Sequence, residues 1–363
     1  MSLHFVFVCG GTGGHIYPAM AIAESLSKLG VKKISFAGRE ASMEEKLVAE
    51  HYDFNKIQAV PLKRSSFWAN LTLPFKLSAA IMRSIKVLKS TQPNAVVATG
   101  GYVSLPIVLA AAWLKIPIYL QEQNAVAGVA NKIGAKFAHK IFVTSETAAK
   151  QFKNKSSVIM GNPVRALSAA QNSPAPVEFA SADHKVLILG GSQGAKGINE
   201  KITASLKQIA GLKKCAVVWQ AGLNNVESIS SNNSIPDNVH VKGFLDDVYA
   251  YIQHADVVIS RAGASTLAEL LAFGKASILV PFPFATANHQ EHNARVLEKA
   301  GAAWVELDNA PNELWTKVMK LLGNPAKLED MQQKAKQMGM PDAADRIAEN
   351  VLADFPEFKG GAQ

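Results

Sequence analysis

Short apolar runs alternate with longer amphipathic stretches along most of the chain. The strand-like runs are residues 3–9, 33–37, 95–98, 116–120 and 140–143 in the first half, and 185–190, 216–220, 239–241, 257–260 and 277–280 in the second. Helical patterns lie between them, such as residues 18–29, 43–51 and 73–89, and residues 312–353 have a helical pattern throughout. Such alternation is typical of a parallel sheet covered by helices, so the pattern predicts an α/β fold in each half.

The length of 363 residues is more than one ordinary core needs and predicts two domains. Small, polar and proline-rich residues mark a linker at about 161–182. We expect a Rossmann-like domain over 1–163, a second over 164–340, and a C-terminal helix and tail over 341–363, for which packing on the first domain is one arrangement. A ligand is expected in a cleft between the domains, at the carboxyl ends of the strands.

The composition is that of a folded protein with a basic excess. Hydrophobic residues make up 48% and charged residues 18%, which excludes a disordered chain. The net charge of +9 suits an anionic partner, and it equally suits solubility alone. Cys9 and Cys215 form no disulfide or metal pattern, so a reducing compartment is expected. Residues 90–114 lack charges, but prolines and glycines interrupt them, and we expect no membrane-spanning helix.

Three glycine-rich turns follow predicted strands. They are residues 10–15 (Gly-Gly-Thr-Gly-Gly-His), 99–102 (Thr-Gly-Gly-Tyr) and 190–195 (Gly-Gly-Ser-Gln-Gly-Ala). A strand, a glycine turn and a helix start together direct backbone N–H groups at an anion, although the same pattern also suits tight turns without a ligand. The first and third of these turns fit neither the dinucleotide motif nor the P-loop, which disfavours NAD and ATP as ligands.

Residues 261–293 are the most specific part of the second half. Glu269 could accept hydrogen bonds from the hydroxyls of a ribose, but Thr266 and Glu269 also fit a capping box. Gln290 could bind sugar hydroxyls, or be an ordinary residue at an exposed helix start. His289 and His292 have no evident third ligand, and the chain has no Asp-x-Asp motif. We therefore predict no metal site and no metal-held diphosphate.

Seven motifs keep a fixed order along nearly the whole chain: residues 10–15, 99–104, 122–124, 161–165, 190–195, 261–269 and 290–294. As a set they closely resemble the MurG family of bacterial N-acetylglucosaminyltransferases. The resemblance implies a GT-B fold, with two Rossmann-like parallel-sheet domains facing across a cleft. It implies inverting, metal-independent transfer of GlcNAc from UDP-GlcNAc to the C4 hydroxyl of MurNAc in lipid I (undecaprenyl-diphospho-MurNAc-pentapeptide). The product would be lipid II for peptidoglycan synthesis, with no cofactor.

The resemblance also implies site residues. The donor-binding residues would be Thr12, Gly13, Gly14, Asn124, Arg165, Ser192, Leu245, Ala264, Ser265, Thr266, Leu267, Ala268, Glu269 and Gln290. The acceptor diphosphate would be bound by Gly11, Gly13, Gly14, Gly100, Gly101 and Tyr102. Within the donor set, the backbone of Leu245 would meet the uracil, Glu269 the ribose and Gln290 the hexose.

A general base is needed to deprotonate the acceptor hydroxyl. His15 is the first candidate and Glu122 the second, although His15 could instead be a structural histidine bonded to backbone. Gln121 stands where the family motif leads us to expect a histidine, so an acid–base histidine at that position is not essential.

Residues 63–76 combine aromatic and apolar side chains with cations, and Arg83, Lys86 and Lys89 continue the pattern. This is the composition of an interfacial anchor, although an amphipathic core helix fits it too. Together with the resemblance, it predicts peripheral binding to an anionic membrane surface through Phe67, Trp68, Leu71 and Phe75, on the cytoplasmic side of the bacterial plasma (inner) membrane. Other cell-wall synthesis proteins are further candidate partners, and no nucleic acid is expected.

Two other functions suit the same features. One is an enzyme like a UDP-GlcNAc 2-epimerase, which would need no lipid acceptor. The other is a non-catalytic, membrane-peripheral protein that binds a UDP-sugar and never turns it over.

Overall fold

The computed structural model describes residues 3–57, 73–152, 157–164, 173–191, 193–212, 214–232 and 234–358. The chain divides into two compact units, one formed by residues 1–165 with 342–363 and the other by residues 166–341. Five residues named above lie outside the described residues: Phe67, Trp68, Leu71, Arg165 and Ser192.

The first unit is built on a seven-stranded parallel sheet. Its strands are β1 (His4–Val8), β2 (Lys33–Arg39), β3 (Asp53–Ile57), β4 (Ala95–Ala98), β5 (Ile118–Glu122), β6 (Lys140–Val143) and β7 (Ser157–Ile159). Its helices before the chain leaves the unit are α1 (Gly13–Lys28), α2 (Met43–Val48), α3 (Leu73–Thr91), α4 (Ser104–Trp113), α5 (Val129–Gly134) and α6 (Glu146–Ala149). The strand order is β3-β2-β1-β4-β5-β6-β7.

The second unit is built on a six-stranded parallel sheet. Its strands are β8 (His184–Leu189), β9 (Cys215–Gln220), β10 (Val239–Lys242), β11 (Val257–Ser260), β12 (Ala276–Leu279) and β13 (Ala303–Val305). Its helices are α7 (Lys196–Ala210), α8 (Val226–Asn232), α9 (Val248–His254), α10 (Ala264–Ala272), α11 (His289–Lys299), α12 (Leu314–Leu322) and α13 (Pro325–Met338). The strand order is β10-β9-β8-β11-β12-β13.

The last helix, α14 (Ala343–Leu352), returns to the first unit. Its apolar face supplies Ile347 and Val351 to the core that also contains Ile22 of α1. The ring of Phe355 then lies edge-on to Phe5 of β1, with 5.5 Å between the ring centroids. The helical tail predicted from the sequence is confirmed as α12, α13 and α14.

Both faces of the first sheet are covered. In β1, Phe5 and Phe7 point into one hydrophobic core, while Val6 and Val8 point into a second. A strand that is buried on both faces needs apolar residues at every position, which explains why β1 is a continuous apolar run. The α/β fold with a parallel sheet in each half is confirmed, and among the described residues no helix is both long and apolar enough to cross a membrane.

Each sheet contains a point where the strand order reverses. In the first sheet β1 and β4 are neighbours, and in the second β8 and β11 are neighbours. The chain leaves the two strands of each pair toward opposite edges of the sheet. A crevice therefore forms at the carboxyl ends of these two strands, and ligands of α/β proteins bind in such a crevice. All three glycine turns, and the turn at residues 261–263, follow these four strands.

Candidate active site

Two glycine turns meet backbone to backbone at the switch point of the first unit. Gly11, Gly100 and Gly101 have φ values of +89°, +101° and +83°. A Cβ on Gly101 would lie 2.2 Å from Gly10 O, so only glycine permits this approach. The side chain of Tyr102 lies beside Gly11, since a Cβ there would be 3.6 Å from its ring. The structure therefore places four of the six predicted acceptor-diphosphate residues (Gly11, Gly100, Gly101 and Tyr102) around one junction, and the other two, Gly13 and Gly14, begin the adjoining helix α1.

The helices that begin at these turns leave their first N–H groups without a side-chain cap. This is true of α1, α4, α7 and α10, and none of the four has an acidic residue in its first turn. Side chains cap α2, α6, α9 and α13, through Ser42, Ser145, Asp247 and Asn324, whereas α5, α11, α12 and α14 likewise have no side-chain cap. Uncapped helix starts at a switch point suit an anion such as a diphosphate.

His15 lies in the first turn of α1 and is half-buried. Its Nδ1 is 3.0 Å from Thr99 O and 2.9 Å from Gln123 Oε1. Both partners are acceptors, so Nδ1 carries the ring hydrogen and Nε2 keeps its lone pair. Among the described residues none is hydrogen-bonded to Nε2. The ring is therefore held by backbone, as a structural histidine would be, and also has a free nitrogen that can accept a proton.

Glu122, the second candidate base, is buried and fully engaged. Its Oε1 accepts hydrogen bonds from Asn124 N at 3.0 Å and Asn124 Nδ2 at 3.2 Å. Its Oε2 accepts from Gly128 N at 3.0 Å and Asn131 Nδ2 at 2.9 Å. With both oxygens bonded, this carboxylate is suited to holding the loop that carries Asn124, and it is less well placed than His15 to take a proton.

The glycine turn of the second unit is equally tight. Gly190 and Gly191 donate to Gln220, to its backbone O at 3.0 Å and its Oε1 at 3.1 Å. Gly194 has φ +76°, and a Cβ on it would lie 2.2 Å from Ala221 O. Gln220, at the end of β9, thus holds this turn in place. The sequence pattern predicts the turn, but nothing in the sequence marks Gln220 as its partner.

The start of α10 presents the predicted phosphate- and ribose-binding residues. The N-cap is Gly263, so Thr266 lies inside the helix and the capping box considered for Thr266 and Glu269 is absent. Glu269 is half-buried, and its Oε1 accepts a hydrogen bond from Tyr249 Oη at 2.9 Å. The Oγ of Ser265 is buried without a described partner. The side chain of Leu267 is buried in the core, so its contact with a ligand would be through backbone.

Gln290 lies at the start of α11. Its Oε1 accepts from Phe282 N at 3.0 Å, and among the described residues none is hydrogen-bonded to its amide N–H groups, which can donate to a ligand. Leu245, the predicted uracil contact, follows β10, and its side chain is buried.

Arg261 and Asp308 fasten the turn before α10. Arg261 Nη1 donates to Asp308 Oδ1 at 2.7 Å and to the carbonyls of Val280 and Pro281 at 3.1 and 3.2 Å. A Cβ on Gly197 would lie 2.1 Å from Asp308 Oδ1, so the same carboxylate also touches the first turn of α7. Asp308 was missed by the sequence analysis because no motif contains it.

A surface of the first unit combines exposed apolar and basic side chains. Phe75 and Met82 on α3 are 80% and 66% exposed, and Trp113 at the end of α4 is 67% exposed. Lys89 Nζ lies 5.8 Å from the ring centroid of Trp113. Other exposed cationic side chains on α3 are Lys76, Arg83 and Lys86. Trp113 was not predicted as part of this surface, since it is remote in sequence from α3.

No cluster of three or more His, Cys, Asp or Glu side chains in the described part of the chain could hold a metal ion.

Comparisons with known proteins agree with this architecture. Residues 5–143 match the glycosyltransferase family 28 N-terminal domain, and residues 185–347 match the family's C-terminal domain. Among solved structures, MurG of Acinetobacter baumannii superimposes with a TM-score of 0.79 at 29% identity, covering 97% of this chain and 99% of that one. A UDP-GlcNAc 2-epimerase of Neisseria meningitidis, solved with UDP-GlcNAc bound, has a TM-score of 0.70 at 16% identity over 97% of this chain and 100% of that one, which is a likeness of fold alone.

A curated relative from Caldicellulosiruptor saccharolyticus is more informative. It is named UDP-N-acetylglucosamine–N-acetylmuramyl-(pentapeptide) pyrophosphoryl-undecaprenol N-acetylglucosamine transferase. It is 39% identical over 355 residues, which are 95% of this chain and 96% of that protein. The two Rossmann-like sheets are accordingly those of the GT-B fold. The chain belongs to glycosyltransferase family 28 and, within it, to the MurG family.

Proposed function

We propose that this protein transfers GlcNAc from UDP-GlcNAc to the C4 hydroxyl of MurNAc in lipid I, giving lipid II for peptidoglycan synthesis. The observation that carries the proposal is the near-complete match to a relative whose name states this reaction. Anion-binding helix starts at the switch point of each sheet support it, because both the donor and the acceptor carry a diphosphate.

The second unit would bind the donor. The uncapped N–H groups at the start of α10 suit a phosphate. The carboxylate of Glu269 can accept hydrogen bonds from the ribose hydroxyls. Gln290 keeps its amide N–H groups for the hexose. Arg165 and Ser192, both outside the described residues, would complete the diphosphate contacts, and Leu245 would contact the uracil.

The first unit would bind the acceptor and supply the base. The junction of the two glycine turns suits the lipid diphosphate, with Thr12, Gly13, Gly14 and Asn124 nearby to complete the donor contacts. The C4 hydroxyl attacks the anomeric carbon and inverts it, its proton passes to His15 Nε2, and the bond to UDP breaks. As that bond breaks, its electron pair passes to the diphosphate, and the helix starts would stabilise the growing negative charge without a metal.

The test is to incubate the purified protein with UDP-GlcNAc and a lipid I analogue, with and without EDTA. We expect UDP release that depends on the lipid, a disaccharide-lipid product, and full activity in EDTA. UDP-ManNAc formed from the donor alone would instead identify an epimerase. Donor binding without turnover, also with a long-chain acceptor in membranes, would indicate a binding protein.

The exposed surface on α3 and α4 supports peripheral membrane binding. Phe75, Met82 and Trp113 would enter the interfacial layer, and the lysines and arginine beside them would meet anionic headgroups. The cytoplasmic face of the plasma membrane is the proposed location. The predicted contributions of Phe67, Trp68 and Leu71, and contacts with other cell-wall synthesis proteins, stay predictions.

Cosedimentation with phosphatidylglycerol vesicles tests the membrane proposal. Replacing Phe75, Met82 and Trp113 by serine should abolish binding, whereas the exposed Val177 and Met319 of the second unit can be replaced by serine as a matched control. Binding should weaken as salt rises and should be poor on neutral phosphatidylcholine vesicles. Unchanged binding by the triple variant would assign the membrane contact elsewhere.

A further inference from the structure

A row of buried amide side chains lies behind His15. Gln123 and Gln121, on the loop after β5 and in β5 itself, are 3% and 0% exposed, and Asn162, just after β7, is 5% exposed. Gln121 Nε2 donates to Asn162 Oδ1 at 3.3 Å, and Gln123 in turn bonds to Gln121 and to His15. None of these three amides contacts the donor or the acceptor in the proposed reaction.

The surroundings of Gln123 fix which way its amide points. Its Nε2 lies 2.7 Å from Thr99 O and 3.2 Å from Gln121 O, and it also bonds to Gln121 Oε1. The backbone oxygens of Thr99 and Gln121 can only accept, so the amide NH₂, with its two hydrogens, must occupy this end. The opposite end, Oε1, therefore faces His15 Nδ1 at 2.9 Å and can only accept from it.

We propose that Gln123, held by Gln121, is a positioning residue that keeps the hydrogen of His15 on Nδ1 and so keeps the Nε2 lone pair available to the acceptor hydroxyl. This inference rests on the proposed function, in which His15 is the base. Thr99 O, 3.0 Å from Nδ1, accepts the same hydrogen as Gln123 Oε1. Thr99 Oγ1 donates to His15 O at 2.7 Å, so both the ring and the backbone of His15 are held.

The row positions the ring and does not carry protons. When Nε2 takes the acceptor proton, the imidazolium still donates from Nδ1 to Gln123 Oε1 and Thr99 O. Gln123, Gln121 and Asn162 are amides that neither gain nor lose a proton in the working pH range, so the proton stays on His15 until solvent or the next reactant removes it. The hydrogen bonds to two neutral oxygens orient the base without placing a charge beside it.

Histidine-selective ¹⁵N NMR of the full-length protein tests the tautomer directly. We expect His15 to carry its hydrogen on Nδ1. His4 provides an internal reference, since its Nδ1 lies 2.9 Å from Thr91 O and its Nε2 2.9 Å from Ser35 Oγ. An Nε2–H tautomer for His15 in the wild type would overturn the proposal without any reference to activity.

The variant Gln123→Met removes the amide acceptor and should move part of the His15 population to the Nε2–H tautomer while His4 is unchanged. We expect kcat to fall by roughly 10–100-fold, as for other residues that orient a site group, with KM for UDP-GlcNAc unchanged. Gln332→Met is the matched control, because Gln332 also donates to a backbone carbonyl, Asp256 O at 3.3 Å, but in the second unit. A fall in kcat without a tautomer change would overturn the proposal.

The near-isosteric Gln123→Glu adds a second test that keeps the side-chain shape. Its second carboxyl oxygen would replace Nε2 and face the carbonyl oxygens of Thr99 and Gln121, so we expect this group to keep its proton, to donate to them as the amide does, and to leave its other oxygen as the acceptor for Nδ1–H. The variant should therefore retain the Nδ1–H tautomer that Gln123→Met loses, and an Nε2–H tautomer in a folded Gln123→Glu would show that residue 123 does not hold this hydrogen. If the wild type transfers no GlcNAc at all, the proposed function fails, whereas the NMR result still decides the tautomer.

Discussion

Single glycines determine how closely the loops of the first unit approach each other. Gly101 has φ +83°, and its missing Cβ would collide with Gly10 O. Alanine there would be strained and would push the two turns apart. We expect Gly101→Ala to lower the free energy of unfolding by roughly 1–3 kcal/mol. Denaturant unfolding measures this, and steady-state kinetics should show a higher KM for the lipid acceptor.

Gly211→Ala is the control for that substitution. Gly211 has φ −71° at the end of α7, and its Cβ would lie 3.4 Å from Gln208 O, an ordinary contact. Its effect on stability should stay within about 1 kcal/mol. If the two alanine variants were equally stable, the contact between the turns would not be the reason for glycine at position 101.

The proposed role of His15 as the general base predicts a specific kinetic defect. His15→Ala removes the free Nε2, so kcat should fall by roughly 10²–10⁴-fold, the usual contribution of a general base. KM for UDP-GlcNAc should change little, because most proposed donor contacts lie in the second unit. The exposed His51 of the first unit offers a matched alanine control that should leave kcat unaltered. A turnover number equal to that of the wild type would exclude His15 as the base.

Individual site residues could be predicted only where a local motif marks them. The glycine turns and His15 have such a motif. The partners of His15 do not, because Thr99 and Gln123 are 84 and 108 positions away in the chain. For Glu122 the sequence allowed a base. The donors of its four hydrogen bonds lie only two to nine positions further along the chain, but the sequence has no signal that this loop folds back onto the carboxylate.

At the scale of elements, the apolar pattern locates central strands better than edge strands. The three strands that the pattern missed, β3, β7 and β13, each lie at the edge of a sheet. An edge strand has one neighbour and less buried surface, and β7 has no fully buried residue, whereas β1 is buried throughout. Helix α1 also begins at Gly13, earlier than the predicted residue 18, because the glycine turn itself forms the first helical turn.

Lys275, between α10 and β12, is a buried lysine that contacts the end of α9. Lys275 Nζ donates to Gln253 O at 2.6 Å and Ala255 O at 3.1 Å. Burial lowers the pKa of Lys275 to about 8, against the opposing charge of Asp256 and with help from Lys185. The ammonium thus stabilises the carbonyls of the helix end but loses its proton more readily than in water.

This titration predicts a pH-dependent stability. Between about pH 8 and the ordinary lysine value of 10.5, the unfolded chain binds more protons at position 275 than the folded protein does. The free energy of unfolding of the wild type should therefore rise, relative to Lys275→Met, as the pH increases through that window. Urea midpoints of both proteins at several pH values measure the difference. A constant difference from pH 8 to 10.5 would contradict the lowered pKa.

At the scale of the whole molecule, the first unit is assembled from both ends of the chain. Helix α14 lies against α1, and Ser25 Oγ donates to Asp345 Oδ1 at 2.6 Å. The sequence predicted an amphipathic helix here but not the surface that covers it, since an apolar stripe does not specify its partner. The first unit is therefore complete only after α14, which follows the whole second unit in the chain, has been made.

One carboxylate fastens this returning segment. Asp354 accepts hydrogen bonds from Tyr119 Oη at 2.9 Å and Lys140 Nζ at 2.8 Å, and His139 Nε2 lies 3.3 Å away. Burial tends to raise the pKa of Asp354, but the hydrogen bonds from Lys140 and Tyr119 outweigh it and hold the pKa below the ordinary value of 3.8. The ionised form is thus favoured in the folded protein.

Asp354→Asn should loosen the segment and lower the free energy of unfolding by about 1–3 kcal/mol at neutral pH. The pKa of Asp354 is lower in the folded protein than the ordinary value of 3.8. The wild type is therefore more stable than the variant by the full amount above pH 3.8, and this difference in the free energy of unfolding is lost as the pH falls through the lower pKa of the folded protein. Thermal unfolding of both proteins should therefore converge in acid, and hydrogen exchange should rise first in α14. Asp330→Asn is the control, since this exposed aspartate also contacts two lysines but should contribute little. Equal stability of Asp354→Asn and wild type at neutral pH would mean that apolar packing alone holds the segment in place.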